Sequence, residues 1–119
     1  MIRILDKKPE GCFIDDNGIE FTYVEGLKED GQPYGHMAYS AIGKNTAQIH
    51  YEQGEMTASI WKQMLEVDWP AFLEHLREEG YNQIFTIYRS DGDNSKWLKF
   101  VDKMGFENHK VLITCDRRL

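Results

Sequence analysis

Basic residues are in short supply: 14 lysines and arginines stand against 20 aspartates and glutamates, a formal net charge of −6 over 119 residues. A nucleic-acid backbone would be repelled on average, and the C-terminal pair Arg117 and Arg118 is too small a patch to reverse that. Long apolar stretches are missing too. None approaches the roughly 20 residues that cross a bilayer, and the start MIRILDKKPEG meets charge after a few apolar residues. The chain reads as soluble and cytoplasmic, with neither a nucleic-acid nor a membrane partner. Cysteine is scarce: Cys12 and Cys115 show no CxxC pattern and read as reduced, small core side chains. The four histidines, His36, His50, His75 and His109, lack the short spacings of a zinc site, so no structural metal is expected. With only 3 prolines and no low-complexity segment to serve as a linker, residues 1–119 read as a single domain.

What is present is enough to build a core: 41% of the residues are hydrophobic and 13% aromatic. The first half reads as strands joined by tight turns. IRIL at 2–5 and CFI at 12–14 are short apolar runs, and DDNG at 15–18 carries the Asn-Gly signal of a hairpin. IEFTYVEG follows at 19–26. KEDGQP at 28–33 is a second turn, GHMAYSAIG at 35–43 a further strand, and GKN at 43–45 turns the chain into TAQIHYEQ at 46–53. An antiparallel meander is the economical account.

After Gly54 the period changes. Ile60, Trp61, Met64 and Leu65, then Phe72, Leu73 and Leu76, recur at three- and four-residue spacings, which is helical. Pro70 suits the first turn of a new helix, so the pattern predicts a break near Asp68 and Trp69 and a second helix from Pro70 to Glu79, stopped by Gly80. QIFTIY at 83–88 is then a strand. In NSKWLKFVDKMGFENHK, residues 94–110, a cap from Asp93, Asn94 or Ser95 opens a helix with the stripe Trp97, Leu98, Val101 and Met104. Gly105 can end it in the left-handed conformation, with Phe106 folding back. VLITC at 111–115 is a last strand. The order predicts an α+β domain with a mostly antiparallel sheet.

Strand alternation puts Gln48, His50 and Glu52 on one face and Ile49 and Tyr51 on the other. A carboxylate or imidazole there could take the proton from an attacking ammonium; the plainer reading is a solvated strand face. Trp61, Trp69 and Trp97 read as core before groove. Asp91, Asp93 and Asn94 lack the remaining ligands of a calcium loop and read as a turn with a helix cap.

This order, and the spacing of Asn94 to Gly105 and Phe106, resembles the GNAT superfamily of acyl-CoA-dependent N-acyltransferases over about residues 18–110. The resemblance implies a GNAT-like, curved and mostly antiparallel sheet with helices packed on it, and an acyl-CoA such as acetyl-CoA as cofactor with an amine as acceptor. It implies that backbone groups of Ile49, Tyr51 and Gln53 pair with the pantetheine arm and that Gly54, Thr57 and Ala58 face the pyrophosphate. Asn94 belongs to the same cofactor surface, Tyr88 and Ser90 line it, and Glu52 or His50 relays the amine proton. Three features depart from the family pattern. EQGEMTASIW has Gln53 and Gly54 but no second loop glycine, and it carries Glu52 and Glu55 where phosphates would lie, so weak cofactor binding is expected. Val101 stands where a tyrosine often returns a proton to the leaving thiolate. The two helices usual between the first strands are absent. The departures leave open a second reading: a GNAT-like fold kept for binding a protein partner or for assembly, as in bacteriophage products and virions, without turnover.

Overall fold

The computed structural model describes residues 1–12, 18–54, 56–86, 99 and 101–106. The chain divides into two compact units, Met1–Arg89 and Ser90–Leu119. In the first, strands β1 (Ile2–Leu5), β2 (Thr22–Leu27), β3 (Pro33–Gly43), β4 (Thr46–Gln53) and β5 (Gln83–Phe85) form one sheet in the order β1-β2-β3-β4-β5. The first three pairings are antiparallel and β4 with β5 is parallel, so the sheet is mostly antiparallel, as the meander and the helical return predict.

Turn chemistry accounts for the meander. In the turn from β2 to β3, Gly31 has a φ of 83°, its N–H donates to Lys28 O, and Asp30 Oδ1 accepts from the Gln32 N–H at 2.9 Å. At the end of β3, Lys44 and Asn45 form a two-residue hairpin loop in which Asn45 takes a φ of 66°. Asn tolerates that conformation better than most residues. The same Asn45 carbonyl accepts from the N–H groups of Asn82 and Gln83, which ties the start of β5 to the hairpin. Cys12 lies in a turn, not a strand, while Phe13, Ile14 and the Asp15–Asn17 part of the DDNG signal lie outside the described residues.

The expected helix break does not occur. Helix α1 (Ala58–Gln63) passes through a π turn, Met64–Asp68, directly into α2 (Trp69–Glu78). A proline ring inside a regular helix collides with the carbonyl four residues back. Here the widened turn falls immediately before Pro70, where that collision would lie, so the chain stays helical. Trp69, Phe72 and Leu76 form the buried face of α2. Phe72 meets Tyr39 of β3 edge-on with ring centroids 5.9 Å apart, and His75 Nε2 lies 2.8 Å from the Tyr39 hydroxyl. Full burial of such side chains stabilises by about 1.5–3 kcal/mol each, which fixes α2 on the Tyr39 face of the sheet. Trp69, 4% exposed and 5.8 Å from the Phe72 ring, is core as the spacing predicts.

In the second unit, residues 101–103 are helical, and Val101 and Met104 are buried. Gly105 has a φ of 87°, its N–H donates to Asp102 O, and the Phe106 N–H donates to Val101 O. These two bonds are the Schellman pattern and match the sequence expectation for this helix end. Trp97, Leu98 and the VLITC run lie outside the described residues.

Candidate active site along strand β4

Directly paired residues of neighbouring strands share a face. The registers Arg3↔Glu25, Glu25↔His36 and His36↔Glu52 therefore place four polar side chains in one row across β1, β2, β3 and β4. One step along, Leu5↔Tyr23, Tyr23↔Ala38 and Ala38↔His50 make the next row on that face. This face is opposite the one that Tyr39 presents to α2. Arg3 donates to Glu25, which is 4% exposed, and Glu25 Oε2 lies 3.6 Å from His36 Nε2. Cys12, 8% exposed, packs over Tyr23 and Ala38 with Leu5 and Phe21 beside it.

His50 and Glu52 lie on this face with Gln48, as strand alternation predicts. Gln48 Nε2 and His50 Nε2 are 3.1 Å apart, and the Phe21 ring stands edge-on to the imidazole at 5.2 Å. With the amide donating, the Nε2 lone pair is occupied and the ring proton resides on Nδ1. Desolvation by this packing holds the His50 pKa below its ordinary value. Glu52 is half-buried at the β4 end of the first row. The sequence reading missed His36 and Glu25. Their partnership with Glu52 exists only in cross-strand register, and the alternation within β3 was the one signal that could have suggested it.

On the opposite face of β4, Ile49 is buried and Tyr51 half-buried, and burial pushes the Tyr51 hydroxyl up to about 12. Among the described residues, the parallel ladder runs through Thr46↔Gln83, Ala47↔Ile84 and Gln48↔Phe85. Next to it, the Thr86 hydroxyl donates to Ile49 O at 3.2 Å. Strand β4 itself continues to Gln53, beyond its described pairing with β5.

At the end of β4, the Gly54 N–H donates to Tyr34 O at 2.9 Å. That group is engaged within the sheet. Thr57 is the N-cap of α1, its hydroxyl accepting from the Ile60 N–H at 3.2 Å. Ala58 and Ser59 then occupy the first two helical positions, whose N–H groups have no partner within a helix. A groove of about 690 Å³ lies beside this start, with Lys28, Lys62, Thr57 and Ser59 in its wall together with Glu29 and Glu66. The side chain of Gln53 and residues Glu55, Tyr88, Ser90, Asn94 and Trp97 lie outside the described set.

A five-stranded, mostly antiparallel sheet with a parallel β4–β5 pair joined through the helix is the GNAT fold, and comparison with solved structures bears this out. The chain is similar to an aminoglycoside N-acetyltransferase, AAC(6')-Iy, in complex with CoA: TM-score 0.59, 13% identity, covering 83% of this chain and 77% of that one. Glucosamine-6-phosphate N-acetyltransferase from Arabidopsis thaliana matches with a TM-score of 0.55 at 13% identity, over 85% and 69% of the two chains. An acetyltransferase from Trypanosoma brucei matches with a TM-score of 0.54 at 15% identity, over 82% and 69%. No family model matches the sequence, and no curated protein is similar to it. The chain is a divergent GNAT-fold protein. No helix among the described residues is long and apolar enough to cross a membrane.

Proposed function

We propose that the protein is an acyl-CoA-dependent N-acyltransferase. The observation that carries this reading is the parallel β4–β5 pair joined through the helix, with a polar row across the sheet that ends in Glu52 of β4. In this reading the peptide groups of β4 from Ile49 to Gln53 pair with the extended, amide-bearing pantetheine arm of CoA by strand addition. Ala58 and Ser59 offer N–H groups to the pyrophosphate at the helix start, with Lys28 and Lys62 nearby. Without the Gly54 N–H this end of the site is weak, so most of the grip falls on the strand. Bound acyl-CoA supplies a thioester carbonyl that is open to attack by a neutral amine. Glu52 takes the ammonium proton, directly or through water, and His36 beside it in the row can share the charge. Water would protonate the departing thiolate.

The test is a thermal melt with acetyl-CoA, followed by release of free CoA in the presence of a panel of primary amines. Stabilisation that rises with ligand concentration, together with amine-dependent thiol release, supports the reading. Stabilisation without release leaves a binding protein, and no response at millimolar acetyl-CoA removes the cofactor altogether.

A further inference from the structure

We infer that Cys12, His36 and Glu52 form a binding site for one zinc-class divalent cation on the sheet face opposite α2. One donor atom from each, the Cys12 sulfur, a His36 ring nitrogen and a Glu52 carboxylate oxygen, lie within 4.8 Å of one another. Zinc holds tetrahedral ligands at bonds of about 2.0–2.3 Å, hence roughly 3.3–3.8 Å apart, so modest side-chain rotation closes the set. The donors suit the ion. One thiolate and one carboxylate balance a divalent charge, the imidazole adds a neutral nitrogen, and three protein ligands leave a fourth position for water or substrate. A thiolate among them selects against magnesium and calcium, which take oxygen.

The scaffold holds the three donors independently of any ion. His36 and Glu52 are register partners on adjacent strands. Cys12 ends a turn in which its N–H donates to Pro9 O at 3.2 Å and Gly11 takes a φ of 78°. Behind the imidazole, Glu25 Oε2 sits 3.6 Å from His36 Nε2 and is itself paired with Arg3. A carboxylate behind a ligating histidine fixes the ring's orientation and raises its basicity, so the row supplies an outer shell as well as ligands. Cys12 and Glu25 are buried while His36 and Glu52 are half-buried, which leaves a path for the ion.

The site shares Glu52 and His36 with the acyl-transfer reading but does not depend on it, because metal binding is measured with no acyl donor present. Metal-free, reduced protein is titrated with Co²⁺ as a spectroscopic probe, and with Zn²⁺ against a chromophoric chelator. One equivalent of Co²⁺ should bind with a thiolate-to-metal charge-transfer band. Cys12→Ser should abolish the band, and Cys115→Ser should leave it intact. His36→Gln should weaken Zn²⁺ at least tenfold, with circular dichroism confirming that each variant is folded. Glu25→Gln, which removes no ligand, should weaken Zn²⁺ by about 10–100-fold as an outer-shell change. Absence of the band, its survival in Cys12→Ser, its loss in Cys115→Ser, or unchanged Zn²⁺ affinity in folded His36→Gln would each overturn the site.

Discussion

Tyr34 donates its hydroxyl to Asp68 Oδ2 at 2.5 Å, joining β3 to the last residue of the π turn. Asp68 is 1% exposed, and Gln63 Nε2 bonds the same oxygen at 2.9 Å while also reaching Leu27 O at 2.7 Å. Burial and the nearby carboxylate drive the Tyr34 pKa far up, so it remains a donor throughout the working range. The π turn therefore does two things: it relieves Pro70 and it aims a carboxylate into the sheet. Tyr34→Phe should destabilise by about 1.5–3 kcal/mol, the usual range for a hydrogen bond to a charged group, read from urea unfolding. A change under a few tenths would show that Gln63 and the Met1 ammonium, which pairs with Asp68 Oδ1 at 2.5 Å, satisfy the carboxylate without it.

Gly26 makes that bond possible. A Cβ built there would lie 2.4 Å from the Tyr34 ring, whose hydroxyl is held by Asp68 and cannot swing away. Gly26→Ala should cost about 1–3 kcal/mol through overpacking. Combined with Tyr34→Ala, the two losses should be less than additive, because the second removes the ring that the first collides with. Strict additivity in the cycle would place the cost elsewhere.

Gly105 tests the helix end in the second unit. Its φ of 87° strains any β-branched side chain, so Gly105→Val should destabilise by about 1 kcal/mol or more, while Gly105→Asn should cost less. Equal melting temperatures for all three forms would show that the cap contributes nothing.

His50 gives the fold a pH dependence of known sign. Its folded pKa lies below the unfolded value of 6.5 because packing disfavours the charged ring. Below 6.5 the unfolded state binds more protons than the folded one. The His50 contribution is therefore complete above 6.5 and is lost as pH falls toward the lowered folded value. Stability of the wild type should fall more steeply with acid than that of His50→Gln, compared by urea midpoints at pH 7 and pH 5. Parallel curves would refute the desolvation account.

Glu52→Gln separates proton transfer from cofactor grip. With a chelator present to exclude metal, amine acetylation near neutral pH should slow by about 10²–10⁴-fold, while stabilisation by acetyl-CoA is retained. Loss of both together would place Glu52 in the binding surface and not in the proton path.

Periodicity and turn residues made the framework legible. Alternation in TAQIHYEQ put Gln48, His50 and Glu52 on one face, Asn45 and Gly31 marked their turns, and Gly105 marked a helix end, because each depends on residues a few positions apart. The continuity of α1 into α2 was not legible. A π turn that accommodates Pro70 is sustained by Asp68 meeting Tyr34 across the fold, and no local window contains both. The Arg3, Glu25, His36 and Glu52 row, with Cys12 closing over it, was likewise the tertiary structure's decision. Cross-strand register is set by how whole strands bury their faces, so side chains far apart in the chain become neighbours only once the sheet has formed.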